Sequence, residues 1–278
     1  MKKNEKISVF GGTGFIGSAF CELYGDYVVS VDREQRDPPT ENVLYLISTT
    51  DNYNVLTDSF VDIDTNLRIL METLDACRER GTDVINFISS WFVYGDTSLP
   101  AREDSPCNPK GFYSITKRCA EQLLISYCET FGMNYRILRL CNVFGSTDPK
   151  VTKKRNALQF LINRLKHDEE IFLYDGGEFF RNFMHVTDTC RAIKLVCDKG
   201  QQNQIYNIGS VNNYKFKDII EIAAIEINSK SKIGSMEVPT FHKTVQVKDM
   251  LLDTTRLYAL GFTESISIEE GIRLLCRT

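Results

Sequence analysis

Three glycines spaced three apart, Gly11, Gly14 and Gly17 in the stretch VFGGTGFIG, constrain this chain more than any other feature. They stand between a β-branched run, KISVFGG (6–12), and an amphipathic run, FIGSAFCELYG (15–25), which predicts a strand turning tightly into a helix. Such a turn lets backbone amides at the helix N-terminus approach an anionic group with no side chains in the way. The same residues also fit a plain glycine turn, so the surrounding pattern has to decide.

That pattern alternates. After the first strand and helix come a second strand, YVVSVDR (27–33), and a third, NVLYLIS (42–48). Leu67, Leu70, Met71, Leu74 and Cys77 then recur at helical spacing up to Gly81. DVINFISS (83–90) and YRILRLCNV (135–143) continue the sheet, separated by a helix beginning near Tyr113. Strands alternating with helices predict an α/β fold, a Rossmann-type doubly wound parallel sheet, over residues 1–150. From residue 151 to 278 the elements shorten and mix, which predicts a smaller C-terminal substrate lobe, with a return to the first domain near 179–210. Ser267 and Glu270, in capping-box spacing, open a final helix.

One interval is too short for the usual pattern. Only ten residues, including Pro38 and Pro39, separate Asp32 from the strand beginning at Val43, less chain than a strand and crossover helix need. A β-α element is therefore expected to be missing, and the sheet to end at its second strand.

Composition narrows the partners. With 33 basic and 37 acidic residues the net charge is -4, which supplies no general attraction to nucleic acid or anionic lipid. No apolar run reaches the 18 or more residues of a spanning helix, and MKKNEK leads directly into a strand. The nine cysteines include no Cys-x-x-Cys pair and sit among apolar neighbours, so they read as reduced core residues, and a cytoplasmic protein without metal is expected. Among them Cys107, close to Tyr113, is read as inert.

The chemistry concentrates at two places. Asp32, fifteen residues past Gly17 at the end of the second strand, can accept hydrogen bonds from ribose hydroxyls and repel a 2'-phosphate, which favours NAD. Arg33 beside it can attract that phosphate and keeps NADP possible. In FYSITKRCAEQLL, Tyr113 and Lys117 lie one helical turn apart, where an ammonium is expected to pull the phenol down from its ordinary pKa into the range of a general acid or base. Taken alone, a Tyr-x-x-x-Lys is most often an exposed helix pair.

The glycine turn, Asp32, the Ser89-Ser90 strand end and Tyr113 with Lys117, in that order, resemble the extended short-chain dehydrogenase/reductase family, specifically its NAD-dependent nucleotide-sugar epimerases and dehydratases. TNLRILMETLDACRERG, LRLCNVFG, GGEFFRNFMHVTD, YNIGS and LLDTTRLYALGF extend that resemblance nearly end to end. It implies Ser90, Tyr113 and Lys117 as the catalytic set, Tyr113 being the acid/base. The resemblance places NAD on Gly11, Thr13, Gly14, Phe15, Ile16, Gly17, Asp32 and Arg33, together with Leu46, Ile47, Ser48, Asn66, Ser89, Tyr113 and Lys117. The substrate would meet Ser90, Trp91, Phe92, Asn142, Asn156 and Arg181, with Asn142 and Arg181 at the diphosphate. A homodimer through the helices at 67–77 and 113–131 is implied as well.

Two departures matter. Asn182 stands where the family motif commonly has aspartate. At the two positions after Ser90, where dehydrating members carry Asp and Glu, this chain has Trp91 and Phe92, and neither moves a proton; nor can Phe92 replace the cysteine that some deoxysugar-inverting members use. The remaining groups suffice for 4-epimerisation through a transient 4-keto sugar, read first, and for reduction of a 4-keto sugar, read second. The aromatic pair either narrows the sugar pocket or packs under the lobe. His185 is expected to be a packed structural residue, and Lys153, Lys154 and Arg155 a solvated face. A dinucleotide-binding sensor or scaffold without turnover is the alternative of another class, disfavoured by the joint presence of Ser90, Tyr113 and Lys117.

Overall fold

The computed structural model describes residues 6–50, 52–145 and 157–277. In chain order the strands are β1 (Ile7–Phe10), β2 (Val28–Val31), β3 (Asn42–Tyr45), β4 (Val84–Ser90), β5 (Asn134–Leu140), β6 (Asn142–Phe144), β7 (Ile171–Tyr174), β8 (Phe180–His185), β9 (Gln204–Ile208), β10 (Asn213–Lys215) and β11 (Ile233–Met236). The helices are α1 (Phe15–Leu23), α2 (Val61–Ile63), α3 (Ile69–Arg80), α4 (Phe112–Phe131), α5 (Ala157–Lys166), α6 (Val186–Lys199), α7 (Phe216–Ile227), α8 (Thr240–Val245), α9 (Thr255–Ala259) and α10 (Ile268–Arg277).

Six parallel strands form the main sheet in the order β2-β1-β3-β4-β5-β9. Its inner strands read as continuous buried apolar runs because helices cover both faces. Ile7, Val9, Leu44, Ile88 and Leu138 pack on one face against α1 and α6, through Phe20, Ile193 and Val196. Phe10, Val43, Ile85, Phe87 and Ile137 pack on the other against α3 and α4, through Leu70, Leu74, Ala120 and Leu124. The fold is the expected shortened, doubly wound α/β sheet. Here β3 pairs directly with β1, Val43 opposite Ser8, and β2 is the edge, so no further β-α element follows the second strand.

One strand prediction needs correction. The run 135–143 is not a single strand of the main sheet: β5 stops at Leu140, and Asn142–Phe144 pairs with β8 in a separate three-stranded sheet, β10-β8-β6. The apolar, strand-prone run continues across the break through Leu140, Cys141, Val143 and Phe144, so the residue pattern alone does not reveal it. Cys141 donates its backbone N–H to Ile208 at the end of β9 and forms the joint between the sheets. Beyond it, α5, α7 and α10 gather around Phe144, Phe183 and Phe216 in a core of their own, while α6 and β9 rejoin the main sheet. At α10 the Ser267 hydroxyl accepts from the Glu270 amide at 3.2 Å, the expected cap. Among the described residues no helix is long and apolar enough to cross a membrane.

Candidate active site

A cavity of about 690 Å³ opens at the C-terminal ends of β1, β3 and β4, between the sheet and the smaller lobe. This is where open α/β sheets place their ligands. On the sheet side it is lined by Gly11, Gly14, Phe15, Ile16, Gly17, Leu46 and Ser48. From the end of β4 and from α4 come Ser89, Ser90, Trp91, Phe92, Tyr113 and Lys117, and from the lobe side Asn142 and Arg181. Residues chosen from the sequence over a span of 170 positions therefore meet at one place.

The glycine turn is built by close approach. Gly11 has a φ of +85°, open to glycine and strained for other residues, and a Cβ on Gly17 would lie 2.2 Å from the Gly11 carbonyl oxygen. Gly14 caps α1 without any side-chain bond, and no acidic residue occupies the first turn, which leaves the leading amides free for an anion.

Ser90 ends β4 and accepts from the Phe92 amide at 3.4 Å, starting a tight turn. Tyr113, in the first turn of α4, lines the same cavity as Ser90. Burial pushes its phenol up to about 12, and the nearby Ser90 hydroxyl only partly opposes this. The expectation that Lys117 lowers the phenol is corrected here. The Lys117 ammonium donates to the Ile88 carbonyl at 2.7 Å and lies 4.2 Å from the centre of the Phe87 ring, turned toward the sheet. Burial brings Lys117 itself down to about 7.

Trp91 and Phe92 stack on each other at 3.9 Å, and Phe92 meets the Tyr113 ring edge-on at 5.8 Å. The Arg181 guanidinium sits over Trp91 at 5.3 Å and over Phe179 at 4.7 Å. It donates to the backbone carbonyls of Phe180 and Val247 at 2.8 and 2.9 Å and to that of Lys248, so much of its hydrogen-bonding capacity ties β8 to the 247–248 segment. Burial lowers its pKa to about 10. Asn142 lines the cavity with its amide donating to the Asn182 carbonyl at 3.0 Å.

Other sequence candidates lie outside the cavity lining. Thr13, Asp32 and Arg33 are exposed, the last two just past the end of β2, and Ile47 packs with the core on the α3 side. Asn66 is buried as a hub: it accepts from Ser48 and from the Thr49 amide, both at 3.0 Å, and donates to Thr49 and Thr116, both at 2.9 Å. Asn156, with Lys153, Lys154 and Arg155, falls outside the described residues. His185 caps α6 by accepting from the Thr187 amide at 3.3 Å and packs edge-on against Phe144, a structural placement. Cys107 is half-buried, with its thiol pushed up by burial.

Several lining residues escape the sequence reading: Thr49, Thr50, Asn52, Tyr53, His242 and Gln246. The first four form a polar stretch right after an apolar strand, which is a usable signal. His242, bonded through Nδ1 to the Tyr53 hydroxyl at 3.0 Å, carries none. Also missed is Glu121, fully buried one turn beyond Lys117, a position that the Tyr113-Lys117 spacing already points to. Among the described lining residues there is no carboxylate, and no cluster suited to a metal ion occurs among the described residues.

Comparison with known proteins agrees with this geometry. A protein of Methanocaldococcus jannaschii provisionally named UDP-glucose 4-epimerase is 26% identical over 96% of this chain and 96% of its own. The dTDP-D-glucose 4,6-dehydratase of Mus musculus is 25% identical over 97% of this chain and 87% of its own. The crystal structure of UDP-glucose 4-epimerase from Thermotoga maritima with UDP-glucose superimposes with a TM-score of 0.87 at 22% identity, covering 98% of this chain and 97% of that one, and so shows the same fold. A family model described as the NAD dependent epimerase/dehydratase family matches residues 43–209, more than half of the chain. The chain therefore belongs to the NAD-dependent epimerase/dehydratase family of enzymes.

Proposed function

We propose that this enzyme epimerises a nucleotide-linked sugar at carbon 4 through a transient 4-keto sugar, using NAD. The observation that carries the reading is the meeting of Ser90 and Tyr113 in one cavity whose described lining offers no carboxylate. Elimination of water from the sugar needs an acid and a base beyond the tyrosine, and Trp91 and Phe92 supply neither. Related proteins named as 4-epimerases support the same choice.

The residues present fit the cofactor. The bare N-terminus of α1 suits its pyrophosphate, Gly17 allows the close approach, and Asp32 at the end of β2 suits the adenosine ribose. When bound, NAD supplies a reversible hydride acceptor. The protein's own task is proton transfer. Tyr113 takes the proton of the carbon 4 hydroxyl and returns it to the ketone oxygen, and Ser90 holds that oxygen in line with the phenol. Lys117, one helical turn beyond Tyr113, keeps its ammonium on the Ile88 carbonyl at the end of β4.

A second reading, one-way reduction of a 4-keto sugar, is favoured by a specific observation. The phenol pushed up to about 12 is held in its acid form, the form that donates to a ketone. One assay separates the two: nucleotide hexoses incubated with purified protein and catalytic NAD, followed by NMR. Interconversion of carbon 4 epimers without net cofactor consumption is expected. Stoichiometric consumption of NADH or NADPH with a 4-keto substrate, and no interconversion, would replace epimerisation by reduction. We also propose a homodimer through the α2 to α4 face, where Ile63, Phe112, Ile115 and Leu123 are exposed.

A further inference from the structure

The cavity lining is uneven in chemistry. Part of it is polar, from Thr49, Thr50, Asn52, Tyr53 and Gln246, with Thr49 bonded to Asp62 and Asn66, Asn52 to Val245 and Ser114, and Tyr53 to His242. Another part of the lining is the stacked Trp91–Phe92 pair, continued by Arg181 over Trp91 and by Phe179, whose ring stacks on Phe216 at 5.3 Å. Its polar side-chain atoms, the Trp91 indole nitrogen and the Arg181 guanidinium, only donate. A hydroxyl laid against the Trp91 and Phe92 rings themselves would find aromatic faces in place of a hydrogen-bond acceptor. A methyl group would find carbon surface.

Resting on the assignment of Tyr113 and Ser90 to carbon 4, we infer that the substrate is a nucleotide-linked 6-deoxyhexose whose methyl edge lies on Trp91 and Phe92. Carbon 5, which bears the exocyclic carbon, is bonded to the reacting carbon. Phe92 touches the Tyr113 ring, so a sugar with its carbon 4 oxygen on the phenol brings that exocyclic carbon within reach of the pair. An apolar wall of this kind discriminates modestly: about tenfold to a hundredfold is what one polar group or one methylene contributes in such a pocket.

The test is calorimetric binding to the NAD-loaded protein of matched sugars carrying hydroxymethyl, methyl or carboxylate at the exocyclic carbon, namely UDP- and dTDP-linked glucose, 6-deoxyglucose and glucuronic acid. The 6-deoxy member is expected to bind at least about tenfold tighter than either partner. Phe92→Asn, and Phe92→Tyr as the variant that keeps the ring, are expected to shrink that preference to about threefold or less while NAD remains bound. Equal affinities, or preference for the hydroxymethyl or carboxylate sugar, overturn the inference, the last by showing that Arg181 reads an acid. A 6-deoxy sugar that binds preferentially but is not epimerised leaves the inference standing and removes the 4-epimerase reading. Equal turnover of the hydroxymethyl sugar does the reverse, and failure of all six to bind defeats both.

Discussion

Arg139 holds Glu121 through two hydrogen bonds, Nε to Oε1 at 3.0 Å and Nη2 to Oε2 at 2.8 Å, with both side chains almost wholly removed from solvent. Arg139 comes from β5 and Glu121 from α4, so the pair fastens the helix that carries Tyr113 and Lys117 to the sheet. Arg118 adds a third bond to the same carboxylate at 2.8 Å. Removing one partner of such a pair leaves an uncompensated buried charge. Glu121→Leu is expected to cost about 3–5 kcal/mol in urea unfolding, and Glu121→Leu with Arg139→Met to recover most of it. A double variant no more stable than the single one would show that the pair has another role.

Tyr113→Phe removes the phenolic oxygen without removing the ring that Phe92 touches. Turnover is expected to fall about 100- to 10,000-fold while NAD content, read from the absorbance of cofactor released on denaturation, stays unchanged. Ser90→Ala should lower turnover less. Wild-type turnover in the Tyr113 variant would remove the phenol from the mechanism.

Lys117 gives stability a pH dependence. Its folded pKa, lowered by burial to about 7, lies below that of the unfolded chain near 10.4, so between these values the unfolded state binds the extra proton. The penalty from the buried cation is thus complete below pH 7 and gone above roughly pH 10.4. Thermal unfolding of cofactor-free protein between pH 7 and 9 should show this rising contribution, and the rise should be smaller in Lys117→Met. Identical slopes in the two proteins would contradict it.

Gly17→Ala puts a methyl carbon where the Gly11 carbonyl oxygen already stands, 2.2 Å from an ideal Cβ. The glycine turn has to open. Loss of NAD affinity by at least about tenfold is expected from a shift of about 1.4 kcal/mol, measured by fluorescence titration.

Asn182→Asp restores the residue common in the family motif, and here it is expected to destabilise. The Asn182 amide donates to the carbonyls of Ser210 at 2.8 Å and Asn212 at 3.2 Å and to the side-chain oxygen of Asn213 at 2.9 Å. A carboxylate turns those donors into acceptors facing acceptors, at a cost of about 1–3 kcal/mol or more. An unchanged melting temperature at pH 8 would show that the loop rearranges freely.

The parts legible in the sequence are those fixed by local geometry. Gly11, Gly14 and Gly17 announce a close backbone approach, ten residues cannot hold a strand and a crossover helix, and Tyr113 and Lys117 share a helix face whatever surrounds them. What escaped depends on groups far away in the chain. Lys117 is turned by a carbonyl 29 residues back, and Arg181 is held by carbonyls 66 and 67 residues ahead, so neither side chain's partners follow from its neighbours. The break at Cys141 is invisible for a different reason: Leu140 and Asn142 keep the pattern of one strand while serving two sheets.

The direct pairing of β3 with β1 has a mechanical outcome. Strand β1, which delivers the glycine turn, is clamped on both sides by segments that all belong to the first 45 residues, while β2 keeps one side unpaired. Fraying therefore begins at β2 and frees only the β1 amides that face it, while those that face β3 stay protected until β3 leaves as well. The glycine turn is thus held on one flank by an inner strand and on the other by an outer strand that breathes.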